Sequence, residues 1–309
     1  MEIRKHRNLD IGNHTYFHAR FEVWNESLLL AKTTIFRNPF HKIDGQHACA
    51  IGHFECCDDQ EVFKNLMDAV VEEVKGLGSS YIIGPLDGST WDTYRLVTAS
   101  NRQAFFLDVE TPEYYLRLFE DFGFTRLAEY KSTLAEELVE HWDKVSHVYD
   151  RLVELGVVFR AFMKDEAPTE FRKVSDLCLL AFQNNFLFSP ISSEEFIDKM
   201  MPALAFMHPK ATVVAELDDK IVGFIFSYPD LNDKSAKTIV IKTLARDPSM
   251  KFQGIGSVLS SLAMKYAKED GFVKGIHALM VNSNTSTYIS KKFKAKTMRA
   301  YALMSLEID

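Results

Sequence analysis

Thr238-Ile239-Val240-Ile241-Lys242-Thr243-Leu244-Ala245, then Arg246-Asp247-Pro248-Ser249-Met250, then Lys251-Phe252-Gln253-Gly254-Ile255-Gly256-Ser257: along this run the chain changes from a β-branched strand to a glycine turn and at once to an apolar-periodic helix. The helix is expected over 254–270, stopped by Gly271. A strand that feeds a glycine-containing turn at a helix start leaves several backbone N–H groups without intrahelical acceptors. Together with the helix dipole these groups suit an anion such as phosphate. Gly254 and Gly256 lack a Cβ and let the backbone approach it closely, and Lys251 adds a cation. Two glycines at a helix start also serve plain tight turns, so the order of the surrounding elements decides the reading.

Working outward, residues 157–163 form a short apolar strand and 168–182 a helix with Pro168 in its first turn. Ser192-Ser193-Glu194-Glu195 starts a second helix that runs to about residue 204. Strands follow at 211–217 and 221–228, joined by the turn Asp218-Asp219-Lys220, and the strand 238–245 comes next. After the glycine turn and its helix come a strand at 276–281, a short helix at 286–293 and a last strand at 299–308. The first half repeats the later part of this order. It has strands at 24–35 and 46–56, a helix at 61–75 ended by Gly76-Leu77-Gly78, a strand at 81–84, a helix at 112–122 and a strand around 126–134. Apolar Leu134, Leu138, Trp142, Val145, Tyr149 and Leu152 recur at spacings of three and four, which predicts an amphipathic connecting helix at about 133–155, closed by Gly156.

The order helix, helix, hairpin, strand, glycine turn, helix, strand, helix, strand resembles the GNAT superfamily of acyl-CoA-dependent acyltransferases, over about residues 157–309. The family's pyrophosphate signature, Arg/Gln-x-x-Gly-x-Gly/Ala, is matched by Lys251 to Gly256, with Lys251 in the Arg/Gln place. The resemblance implies an α/β fold with a mixed sheet, two acyl-CoA N-acyltransferase units in tandem, and acetyl-CoA or another acyl-CoA as co-substrate. It implies further that the backbone of Thr243, Leu244 and Ala245 pairs with the pantetheine arm. The amides of Gln253, Gly254, Ile255, Gly256 and Ser257 bind the pyrophosphate beside Lys251, with Asn284 as a further cofactor contact.

In such enzymes an acceptor amine attacks the thioester directly, a base frees the amine and an acid protonates the thiolate. The family places its acid in Asn-x-x-Ala-x-x-x-Tyr, and this sequence departs from that pattern. Seven residues beyond Asn284 lies Lys291, while Tyr288 sits six beyond Asn282. Tyr288 and Ser290 are the acid candidates, a bound water being an alternative, and the usual Gly-Phe after the helix is replaced by Phe293-Lys294-Ala295. Glu216, His277 and Asp230 are base candidates by strand position, Glu216 foremost.

The corresponding turn of the first half, Cys56-Cys57-Asp58-Asp59-Gln60-Glu61, lacks the glycine pair and carries three carboxylates. They favour the helix start themselves and repel pyrophosphate, so residues 1–155 are expected to be a degenerate GNAT-like domain and 156–309 the acyltransferase domain. A polar loop follows at 84–95, in which Trp91, Tyr94 and Arg95 are candidates for one wall of an acceptor pocket. A guanidinium there suits a carboxylate-bearing acceptor. Asn184 and Asn185, between two helices of the second half, are candidates for the opposite wall.

Composition narrows the function further. The 309 residues are 47% hydrophobic and 26% charged, a soluble globular profile. No run approaches the roughly 20 apolar residues of a membrane-spanning helix. The N-terminus lacks an apolar signal region, and four cysteines make no disulfide framework, so a cytoplasmic location is expected. No Cys/His spacing suggests a metal. Net charge is −7, divided as −10 over 1–155 and +3 over 156–309, with no concentrated basic face for nucleic acid. The expected function is N-acyl transfer, chiefly acetyl transfer, to a small-molecule amine, with a homodimer as a candidate assembly and without nucleic-acid or membrane partners. The alternatives are a non-catalytic CoA or ligand sensor, and an aminoacyl-donor transferase of the tandem type.

Overall fold

A computed structural model describes residues 1–9, 15–139, 142–282, 290 and 293–308. The first run of elements is β1 (Glu2–His6), β2 (Phe17–Asn25), β3 (Leu28–Phe36), β4 (Lys42–Ile43), β5 (Gln46–Cys56), α1 (Gln60–Gly76), β6 (Tyr81–Gly84), β7 (Leu96–Ser100), α2 (Tyr114–Phe122) and β8 (Thr125–Ala135). After α3 (Trp142–Glu154) come β9 (Val158–Ala161), α4 (Ala167–Phe182), α5 (Ser193–Met200), β10 (Val213–Leu217), β11 (Lys220–Pro229), β12 (Thr238–Arg246), α6 (Ile255–Glu269), β13 (Lys274–Val281) and β14 (Lys296–Glu307).

One mixed sheet carries the order β1-β2-β3-β5-β6-β14-β8-β13-β12-β11-β10-β9, with β4 on β5 and β7 on β14 off the main path. Each half is an antiparallel meander that ends in one parallel step, β5 to β6 across α1 and β12 to β13 across α6. A parallel pair requires such a crossover. The halves then exchange their last strands. β14 pairs with β6 of the first half, β8 pairs with β13 of the second, and β14 and β8 lie antiparallel between them.

Among the described residues, apolar side chains fill four clusters around this sheet. Phe63, Leu66 and Val70 of α1 pack with Leu118 and Phe119 of α2 on the first half. In the second half α6 and α3 cover one face through Leu259, Ala263 and Leu152, and α4 and α5 cover the other through Phe171, Val174 and Phe196. A central cluster containing Phe36, Tyr130, Leu187, Tyr301 and Leu303 joins both halves. Among the described residues no helix is long and apolar enough to cross a membrane.

Several elements differ from the sequence expectation. The run expected to be helical from residue 133 is still strand to Ala135, and α3 begins at Trp142. Leu134 pairs with Ile276 on one side and Lys296 on the other, so a central strand's two ladders override the helical spacing. The strand expected at 24–35 is a hairpin of β2 and β3, turned at Glu26 with φ 54°. The helix expected to reach residue 204 is α only to Met200 and continues as a 3₁₀ turn, Met201–Ala205, over Pro202. The short helix expected at 286–293 falls largely outside the described residues.

Candidate active site

β12 and β13 pair only over Thr238–Ile241 and Lys274–His277, and then part. A bulge on each strand accompanies the split. On β12, Ile241 faces Ser227 and Thr243 faces Phe226, which leaves Lys242 without a partner. On β13 the register against β8 slips between His277 and Met280, with Leu279 at φ 56°. Among the described residues, no strand lies beside the β13-side edge of β12 beyond Ile241. Asp247 donates its N–H to Val222 O at 2.9 Å, toward β11. By the period-two alternation of a strand, Thr243 and Ala245 also turn their peptide groups to β11, and Leu244 and Arg246 present theirs to the open edge.

The open edge leads to the start of α6. Gly254 is its N-cap at φ 89°, ψ −10°, a left-handed conformation costly for any residue with a Cβ. A Cβ at Gly254 would also lie 2.8 Å from Val148 Cγ1 of α3. Arg151 of α3 donates to Lys251 O at 2.8 Å and to Gln253 O at 2.6 Å and so holds the turn. The N–H groups of Gly254, Ile255 and Gly256 have no acceptor among the described residues. Lys251 and Gln253 are exposed beside them, Gly256 is buried and Ser257 half-buried. Split strands with a free edge, followed by a helix start with open amides, offer backbone donors and acceptors to an extended chain that ends in an anion.

Sequence candidates for proton transfer fall in different places. Glu216 lies on β10, two strands from the split, held at 2.7 Å by both Arg160 and Lys173. Partial burial raises its pKa, but hydrogen bonds from Lys173 and Arg160 prevail and hold it below the ordinary carboxylate value, which makes it a poor base. Ser290 is buried and shares a 2.7 Å hydrogen bond with Thr133 Oγ1. His277 stands at the apex of the split, buried, with no hydrogen-bond partner on either ring nitrogen among the described residues. Burial lowers its pKa to about 4, so it is neutral at physiological pH. Asp230 accepts from the backbone of Phe106 and Asn232 and ties a loop. Tyr288 and Asn284 lie outside the described residues.

In the first half the equivalent opening is closed by the chain itself. Leu86 donates its N–H to Ile51 O at 2.8 Å, and Asp87 Oδ1 accepts from His53 N at 2.6 Å, beyond the point where β5 and β6 part. A Cβ at Gly52 would collide with Asp87 Oδ1 and Leu86 O. Asp59 caps α1 by accepting from Glu61 N and Val62 N at 2.8 and 3.1 Å, so a carboxylate already sits where α6 leaves its amides open.

The loop at 84–95 crosses to the second half. Trp91 Nε1 donates to Ser189 O at 2.8 Å, its ring packs against Phe182, Phe188 and Phe196, and Asp92 pairs with Lys199. Trp91 is thus an anchor between the halves. Asn184 and Asn185 are exposed in the α4–α5 connection. Arg95 is buried and donates Nη1 to Leu279 O at 3.2 Å, on β13 just past the split. Its guanidinium lies over the rings of Tyr94 and Tyr130, at 3.7 and 4.1 Å from their centroids.

Sequence reasoning missed the polar chain beneath this point. Asp108 forms an ion pair with Arg299, Oδ2 to Nε at 2.7 Å, and accepts from Tyr301 Oη at 2.7 Å through Oδ1. Tyr301 Oη lies 3.1 Å from Ser132 Oγ, which accepts from Leu279 N at 3.0 Å. Burial raises the Asp108 pKa, against the pull of Tyr301 and Arg299. No group of three or more potential metal ligands occurs among the described residues.

With this geometry in view, the chain can be compared with known proteins. Residues 179–288 match the family model described as the acetyltransferase (GNAT) family. A search of curated proteins finds no match. Among solved structures, a GCN5-related N-acetyltransferase from Sphaerobacter thermophilus is 12% identical, with 97% of this chain and 82% of that one covered and a TM-score of 0.53. A tandem GNAT protein from the clavulanic acid biosynthesis pathway is 10% identical, with 94% and 83% covered and a TM-score of 0.53. Residues 179–288 thus match the GNAT family model, and the chain as a whole shares its fold with GNAT and tandem GNAT structures.

Proposed function

We propose that the protein is an acyl-CoA-dependent N-acyltransferase that uses acetyl-CoA and acylates a small-molecule amine at the β12–β13 split. The observation that carries this reading is the coincidence of a free β12 edge beyond Ile241 with three unpartnered amides at the start of α6. Bound acetyl-CoA supplies the acyl thioester. Leu244 and Arg246 offer peptide groups to its extended arm, and Gly254, Ile255 and Gly256 offer N–H donors to its diphosphate. Lys251 neutralises charge beside them, and Arg151 keeps the turn in place through its two carbonyl contacts. Only the second half takes the cofactor, because Asp59 and Asp87 occupy the matching positions of the first.

Release of free thiol from acetyl-CoA, measured across a panel of primary amines, tests the reading. Amine-dependent release well above slow hydrolysis is expected. Binding of acetyl-CoA with no release for any amine would leave a sensor and overturn the catalytic assignment.

A further inference from the structure

We propose that the acceptor amine bears a carboxylate, and that Arg95 and Lys242 hold this carboxylate at the mouth of the β12–β13 split. The proposal deepens the acyltransfer reading and rests on it.

Arg95 is 4% exposed, yet none of the described acidic side chains pairs with it. Its hydrogen bond to Leu279 O occupies Nη1, and Nε, itself buried, has no hydrogen-bond partner among the described residues. A guanidinium is always charged, and burying one without an anion is costly unless an anion arrives. The two tyrosine rings take its face, so an anion would meet the guanidinium in its plane, as a planar carboxylate does. The backbone that presents it is unusual too, since Arg95 holds φ 81° without being glycine.

Position links this cation to the chemistry. Arg95 touches β13 at Leu279, just past its last pairing with β12, and Lys242 is the first β12 residue past the same point. Lys242 is open to solvent and makes no ion pair among the described residues. The walls around it lower its pKa, as does the nearby charge of Arg95, and Asp108 opposes both. Asp108 is the acidic group felt by both Arg95 and Lys242, and its carboxylate is engaged by Arg299 and Tyr301. Three cations therefore face one committed anion.

A carboxylate seated on Arg95 and Lys242 puts an amine one or two carbons away at the opening. There its nitrogen lone pair forms the N–C bond to the acyl carbon as the C–S bond breaks. The thiolate leaves with that electron pair and takes up one proton, and the ammonium acceptor gives up two overall, one of them to the medium. Amino acids are the simplest members of this class.

The test compares thiol release from acetyl-CoA with L-amino acids, their primary amides and plain alkylamines, for the wild type and for Lys242→Gln. Free acids should exceed their amides by about 10- to 100-fold in kcat/KM, the range of one or two charge-assisted hydrogen bonds. Lys242→Gln should raise KM for the acid about tenfold, leave KM for acetyl-CoA unchanged and narrow the acid-to-amide ratio. Arg95→Lys should do the same more severely. Because Arg95 is packed between rings, its melting temperature is recorded, and the exposed Lys242 variant carries the test if Arg95→Lys does not fold. Equal turnover of acids and amides, or an unchanged ratio in Lys242→Gln, overturns the carboxylate assignment alone. No release with any panel member overturns acyl transfer and this assignment with it.

Discussion

Replacing Gly254 by alanine strikes the turn at two separable points. The left-handed backbone at φ 89° costs a residue with a Cβ roughly 1–2 kcal/mol. The added methyl meets Val148 Cγ1 at 2.8 Å, and a helical valine has little freedom at χ1 to move aside. Overpacking of this kind costs about 1–3 kcal/mol, so the total is roughly 2–5 kcal/mol. With about 2.1 cal/mol/K of unfolding entropy per residue, 1 kcal/mol corresponds to roughly 1.5 °C for a chain of this length. Gly254→Ala should therefore lower the melting temperature by about 3–7 °C. Val148→Ala combined with Gly254→Ala removes the collision but leaves the backbone cost. The double variant should accordingly be more stable than the sum of the single losses predicts, by at least about 1 kcal/mol. Calorimetric melting of the four proteins measures this coupling. A neutral Gly254→Ala, or strictly additive losses, would refute the close packing of α3 on the glycine turn.

Other outcomes follow from buried charges and protons. Asp108→Asn keeps the shape but leaves the Arg299 guanidinium buried without its anion, a loss of about 3–5 kcal/mol by urea unfolding; an unchanged midpoint would mean that the pair contributes nothing. His41 and His277 are both buried with pKa values lowered to about 4. An unfolded histidine protonates near 6.5, so stability is complete above that pH and falls as pH drops from about 6.5 to about 4. His277→Leu should flatten that slope in melting curves taken from pH 7.5 to 4.5; a wild-type melting temperature constant over this range would contradict the burial of both rings. Glu216, held low by Lys173 and Arg160, adds a further loss below about pH 4.5, which Glu216→Gln should remove from acid melting curves.

Local chemistry made the second half legible. A β-branched octet, two glycines two apart and a helix stop at Gly271 each act within a few residues, and the structure follows them in β12, the glycine turn and α6. The boundary at 133–142 was not legible, because Leu134 takes its conformation from ladders to β13 and β14 rather than from its neighbours. The exchange of β14 and β8 between halves is equally invisible to short-range pattern. In the site, the glycine turn could be placed from sequence, and Arg95 could be named as a cation in a polar loop. Its position could not, since the carbonyl it binds is 184 residues away. Asp108 and Arg299, at the centre of the buried polar chain, carry no local signal at all. Lys242 stood inside the stretch that decided the fold, but only the observed bulge turns it from a strand residue into a side chain at the split.

The central claim is that the start of α6 and the open edge of β12 bind acetyl-CoA. Calorimetric titration of the intact protein with acetyl-CoA tests it most directly, repeated with Gly256→Glu and with Ser257→Glu. Ser257 is the third residue of the helix, where an acidic side chain favours the helix while repelling a diphosphate. Saturable binding of one acetyl-CoA per chain, weakened at least tenfold in both variants, is the predicted result. Absence of binding by the wild type, binding of two per chain, or equal affinity in Ser257→Glu would contradict it.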